Sequence, residues 1–468
     1  LGSGVAIVIG STIGSGIFKS PSDVAGQLPG PLPMLSVWVV GGIVVLCGAL
    51  TLGEVGGAYP FSGGIYVYVR EAFGRVPAFL FGWASLVLIT PSALGALALV
   101  FSEYLLRLFG ITDQKPGFAE WSAGLAIAAI VVATIANILG VKQGALLQNV
   151  TVIAKVGGLL LLIVLALAIG LPKAGGHFTP AAPPGSFSLS MFGLALVSIL
   201  WTYDGWADAS YVSGEFANPR KNVPRAILFG TLIVVAVCVL ANVAYMSVFT
   251  VSEIGKSSLI AADSMTKLVG AWGVTFIVAT VMISTFGTLS ATTLTSPRIF
   301  FAMAEDRLFF APLAVVHPRF RTPHRSIVLT CFLGIVYVLV ATVWSGSKAF
   351  GALTDAFVIG IVPFYTLSVA SVFIFRRRKA AESEGELPDS LIDPVSEGQT
   401  ERHVHPYQAP VRTPLYPLTP LVFIAGTLFL LASSLLDKDS RVPTLITLGI
   451  LAVGIPIYYA TIGRLGRT

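Results

Sequence analysis

The chain has 468 residues, 55% of them hydrophobic and only 11% charged, with a mean hydropathy of +0.85 and a formal net charge of +6. That balance excludes an ordinary water-soluble domain, and with it a soluble enzyme or a free nucleic-acid-binding protein. The surplus of basic residues needs another explanation, and membrane topology supplies one.

Apolar stretches of membrane-spanning length are read at 2–28, 32–58, 75–107, 121–140, 144–171, 188–216, 224–249, 269–303, 325–345, 348–375, 415–436 and 442–463, twelve in all. The chain opens on Leu1 rather than Met, and a short segment is expected ahead of it. The first stretch is too long and too rich in glycine for a cleaved signal peptide. It contains Gly10, Gly14, Ser15 and Gly16, which make it a poor continuous helix. A break at membrane depth frees backbone groups where there is no bulk water, so it must be buried in protein or line a polar cavity. Amides at the start of the following half-helix are suited to holding an anion.

The runs at 75–107 and 269–303 exceed one bilayer thickness and should tilt or project. Stretch six, in the second half of the first ten, carries Leu200-Trp201-Thr202-Tyr203-Asp204-Gly205-Trp206-Ala207-Asp208, a second interruption by Gly and a carboxylate. Interruptions at matched positions of two halves point to a binding site near the bilayer midplane. Residues 377–414 are polar and rich in Glu, Ser and Pro, and read as a flexible cytoplasmic loop. This loop divides the chain into a ten-helix core over 1–376, with halves at about 1–171 and 188–376, and a final pair over 415–468.

With the N-terminus inside, nineteen Lys and Arg residues fall on the cytoplasmic side against eight outside, which places both termini in the cytoplasm. Arg376-Arg377-Arg378-Lys379 marks a helix end facing anionic lipid. Cys47, Cys238 and Cys331 all fall within spans, so no disulfide is expected. No metal-hydrolase or serine-hydrolase motif occurs, and no cofactor or metal is expected. Nothing resembles a channel selectivity filter.

Five motifs in order then become specific: Gly10-Ser11-Thr12-Ile13-Gly14-Ser15-Gly16-Ile17-Phe18, the run from Gly53 to Tyr68, Trp201 to Trp206, the run from Glu215 to Ile227, and Ser284-Thr285-Phe286-Gly287 with Thr295-Ser296-Pro297-Arg298. They resemble the amino acid–polyamine–organocation superfamily, and in it the L-amino-acid transporter branch, over essentially the whole chain. The resemblance implies an all-α membrane protein of twelve helices with a LeuT-type 5+5 inverted repeat, broken helices one and six, and two C-terminal helices. It implies a bacterial-type, sodium-independent transporter of the cell membrane. Small to medium neutral L-amino acids would be exchanged by alternating access. A proton-coupled symporter is the alternative, as is an exchanger that also takes cationic substrates through Asp204.

The resemblance also implies residue roles. The substrate carboxylate would meet the amides around Gly14, Ser15 and Gly16, with Ile17 next to them, and the ammonium would meet carbonyls near Ile13 and Tyr203, with Gly205 in the second break. Ser15 has a packing alternative as a small residue between helices. Trp201 would fold over the substrate as a gate, with packing as the alternative. Lys155 lies about a dozen residues past the Lys142 loop, roughly 18 Å at helical rise, which is far for escape to the interface. The resemblance makes it a built-in replacement for a sodium ion, with the first break and Ser284 as neighbours. Asp204 would either cap the second half of its helix or supply a negative wall for a cationic side chain. Glu54, Glu215 and Arg220 lie near cytoplasmic ends and belong to an inner gate or loop network rather than to the substrate. The outer loop from Arg107 to Glu120 has no cysteine, so no disulfide-linked heavy subunit is expected; the partners are L-amino acids and membrane lipid.

Overall fold

The computed structural model describes residues 1–61, 63–139, 144–320, 322–384 and 407–462. Regular structure among them is helical throughout, because a helix satisfies its own backbone groups where lipid offers no partner. In chain order, α1 is Gly2–Thr12, α2 Gly16–Gln27, α3 Pro31–Ala58, α4 Ile65–Phe73 and α5 Arg75–Leu108, the last with a π-helical turn at Ser85–Ile89. Next come α6 Phe118–Ile138, α7 Gly144–Leu165, α8 Leu189–Tyr203, α9 Pro219–Val248 and α10 Ala271–Glu305. The chain finishes with α11 His324–Ser345, α12 Ala349–Glu384, α13 Leu418–Leu436 and α14 Lys438–Ala460.

The expected twelve spans are not found. Among the described residues, nine helical runs are long and apolar enough to cross a membrane, or ten if the bent pair α1 and α2 is one span. Two physical causes lie behind the difference. The stretch at 188–216 yields only the fifteen-residue α8, because Asp204 turns extended and Gly205 takes φ +103°. The stretches at 325–345 and 348–375 join through a three-residue 3-10 turn, Gly346–Lys348, into one helical run, His324–Lys379.

Helix ends follow local chemistry. Pro31 and Pro219 open α3 and α9, where a missing N–H leaves no bond unmade. Asp437 caps α14 by accepting from the Asp439 and Ser440 amides. Lipid-type surface covers the outside: Val343 and Trp344 on α11 are about four-fifths exposed. Inside, α9 packs along α3, and the long α10 packs against α5 and α7.

Residues 385–406 of the expected loop lie outside the described residues, as do Lys142, Arg402, Arg464 and Arg467 from the charge count. Helix α12 runs on to Glu384, and 407–413 lie against the protein. Glu54, buried on α3, accepts from Arg376 Nε and Nη2 at 2.8 and 2.6 Å, from Tyr407 Oη at 2.6 Å and from the Thr413 amide at 2.6 Å. One carboxylate thus ties three separate segments together. Arg220 is exposed.

Candidate functional site

Two breaks cross in the middle of the molecule. Helix α1 ends at Thr12 and α2 starts at Gly16, and the two axes bend by 47°. Helix α8 ends at Tyr203 and continues as turns and a short 3-10 segment, Asp208–Ser210. Both glycines at the crossing are required by space. A Cβ on Gly16 would stand 2.6 Å from the Thr202 Cα, and one on Gly205 would stand 2.9 Å from the Thr12 amide nitrogen. The positive φ of Gly205 adds a second reason for glycine there.

A cavity of about 610 Å³ lies along the crossing. Its wall holds Gly14, Ser15, Gly16, Lys155, Trp201, Asp204, Gly205 and Asp208, and it reaches Gly63 and Ala302 near the ends of α3 and α10. Ile13, Ile17, Tyr203 and Ser284 are buried but do not line it.

The amides divide unevenly. The Gly14 N–H is already spent on the Thr12 carbonyl at 2.8 Å. Those of Ser15, Gly16 and Ile17 open α2, ahead of its first turn, the Phe18 N–H to Ser15 carbonyl bond at 3.2 Å. They therefore carry the positive end of the half-helix. Ser15 Oγ and Thr12 Oγ1, both buried, have no partner among the described residues and belong to the same cavity wall.

Lys155 reaches across from α7. Its Nζ donates to the Gly10 carbonyl at 2.5 Å and to Thr288 Oγ1 at 3.2 Å, and the residue is 1% exposed. The α10 partner is Thr288, one turn past Ser284; the Ser284 hydroxyl is buried without a partner, while its carbonyl accepts from Thr288. Spacing alone could have offered Thr288 as readily as Ser284, since both lie on one face of α10.

Asp204 does not cap a regular helix, since none follows it. Its carboxylate accepts from Tyr365 Oη on α12 at 2.6 Å. Asp208, Tyr211 and Tyr365 also line the cavity, although sequence reasoning did not single them out. Only Asp208 carried a signal, being a carboxylate four residues past the first.

One side of the crossing is sealed. Trp201 is 8% exposed and stands edge-on to Phe357 at 5.0 Å and to Phe350 at 6.2 Å. Beyond it, Lys19 on α2 forms an ion pair with Glu103 on α5 and lies 4.8 Å over the Phe350 ring. Tyr104 and Tyr245 hydroxyls hold the Phe18 and Ile17 carbonyls at 3.0 and 3.1 Å. Tyr203 turns its side chain away and donates to the Trp38 carbonyl at 3.1 Å.

Sequence comparison fits this geometry. The model for the family described as amino acid permease matches residues 3–462. The chain belongs to that family. A serine/threonine exchanger of Bacillus subtilis, SteT, is 32% identical over 97% of this chain and 94% of its own length. The human b(0,+)-type amino acid transporter 1 is 31% identical over 84% of the chain and 78% of its own, and human large neutral amino acids transporter small subunit 2 is 29% identical over 98% and 79%. These relatives place the permease in the amino acid–polyamine–organocation superfamily, in its L-amino-acid transporter branch. It is a multi-pass transporter of the cell membrane, not an enzyme, with amino acids as cargo and lipid as surroundings.

Proposed function

We propose that this permease exchanges small to medium neutral L-amino acids without sodium, by alternating access at the crossing of the two breaks. In this reading the amides of Ser15 and Gly16, which line the cavity, receive the substrate carboxylate, and backbone carbonyls where α1 and α8 break receive the ammonium. Trp201 covers the bound molecule on the sealed side. That side faces outward and both termini are cytoplasmic, in keeping with the distribution of Lys and Arg. The exchange activity in the name of the Bacillus subtilis relative supports exchange here.

The observation that carries the reading is Lys155. An ammonium buried among helices is tolerated only with close partners, and its Nζ sits on the Gly10 carbonyl and Thr288 hydroxyl, beside the first break. A fixed cation there leaves no task for a soluble one. The test is counterflow in proteoliposomes loaded with one neutral amino acid, each of the twenty presented outside in turn, in sodium and then in choline. Exchange of neutral substrates at equal rates in both salts is expected. A gain in rate or affinity with sodium refutes it.

A further inference from the structure

We propose that Asp208 is a specificity-determining residue, giving the cavity a carboxylate that lets it accept amino acids whose side chain ends in an ammonium or guanidinium group. The proposal rests on the reading of the cavity as the substrate site.

Asp208 stands in the short 3-10 segment past the second break, half-buried, with its carboxylate on the cavity wall. The Ser11 hydroxyl, on α1, donates to the Ile7 and Gly205 carbonyls at 2.9 and 3.2 Å. Asp204 is on the same wall, but there the Tyr365 hydroxyl already satisfies one carboxylate oxygen at 2.6 Å. Among the described residues, Lys155 is the one cation of the lining, and it is held by Gly10 and Thr288 instead. The wall thus carries two carboxylates and one ammonium. A zwitterion with a neutral side chain brings no net charge to balance that excess.

Carboxylates at membrane depth without a counter-charge are costly, so such a pair marks a place where a positive group is received. The partnerless hydroxyls of Thr12 and Ser15 in the same wall point independently to a ligand in this space. A ligand's own α-groups are served by backbone at the breaks, which leaves Asp208 for its side chain. The cavity, about 610 Å³, has room for a side chain far longer than that of serine. A proton on Asp208 would also remove the excess charge, and the experiment separates the two.

The full chain in proteoliposomes exchanges internal radiolabelled alanine against external lysine, or against Nε-acetyl-lysine, which has the same chain without the charge. Wild type is expected to prefer lysine. In Asp208→Asn the ratio of apparent affinities for lysine over alanine should fall about tenfold or more, as expected for one lost charge-assisted hydrogen bond. Asp208→Glu should restore most of it. Three results overturn the proposal: lysine no better than its acetyl derivative in wild type, an unchanged ratio in the Asn variant, or alanine uptake that acidifies the lumen in wild type but not in that variant. Should wild type exchange no amino acid at all, the reading of the cavity itself fails and this proposal falls with it. Should the Asn variant fail to fold, the lysine and acetyl-lysine pair in wild type decides.

Discussion

The two ends of the half-helix α2 make opposite use of polar groups. At its start, Thr12 and Ser15 hydroxyls and the Trp201 indole N–H are buried with no partner among the described residues, next to amides that no helix turn has claimed. One turn along, the groups facing α5 and α9 are paired: Lys19 with Glu103, the Ile17 carbonyl with Tyr245 and the Phe18 carbonyl with Tyr104, while the buried Ser20 and Ser22 hydroxyls, which have no partner among the described residues, do not line the cavity. A buried polar group without a partner is expensive. The unpaired groups that line the cavity therefore mark where a ligand completes the structure, and the paired Lys19, Ile17 and Phe18 groups mark a seal. The same half-helix does both because the bend at Gly14–Gly16 aims its first turn at the cavity and its second at α5.

The most damaging change to the open end should be Lys155→Ala. It removes the cation from the Gly10 carbonyl and the Thr288 hydroxyl together, and exchange should fall by at least about a hundredfold, the scale of losing a buried charge-assisted contact. Wild-type exchange rates in extractable Lys155→Ala protein would show that the open end does not depend on this cation.

Next come two tryptophans that a sequence cannot rank. Trp38 is fully buried against Tyr203, at 5.8 Å between rings. Its replacement by Ala should cost about 3–5 kcal/mol of stability, seen as a fall in thermal midpoint. Trp201 borders the cavity instead, so Trp201→Ala should weaken apparent affinity several-fold with a much smaller loss of stability. Equal effects of both substitutions on stability and affinity would erase the distinction between lid and core.

The seal is probed by Glu103→Gln. Lys19 then loses its counter-charge, and a cysteine placed at Ala93, a buried residue of the cavity wall, should label faster with a membrane-impermeant thiol reagent. The expected gain is a few-fold, as about 1 kcal/mol of lost latch would give. No change in labelling would show that the aromatic layer of Trp201, Phe350 and Phe357 closes this side alone.

The smallest effect on exchange belongs away from both ends. Glu54→Gln keeps the shape but removes the charge that Arg376 grips, and should lower stability by about 1–3 kcal/mol. Exchange per folded molecule should stay as it was. A change in affinity would instead connect the 407–413 segment to the cavity.

The sequence by itself determined the class, the two breaks and the cation. Apolar length and sparse charge require a membrane protein, glycines beside polar residues locate both interruptions, and a lysine deep in an apolar run is conspicuous because lipid cannot solvate it. Those signals are local, and local physics reads them. Partners are not local. Whether Ser284 or Thr288 meets Lys155 is one helical turn, settled by how α10 is rotated against α7. Tyr365, which holds Asp204, lies 161 residues away on another helix. The number of separate membrane-long helices was also decided only in three dimensions: hydropathy measures apolar length, whereas the turn after Tyr203 and the join at Gly346–Lys348 depend on backbone geometry. Composition sets what must be buried, but the packing of one helix on another sets which polar groups remain unpaired, and those groups form the cavity wall.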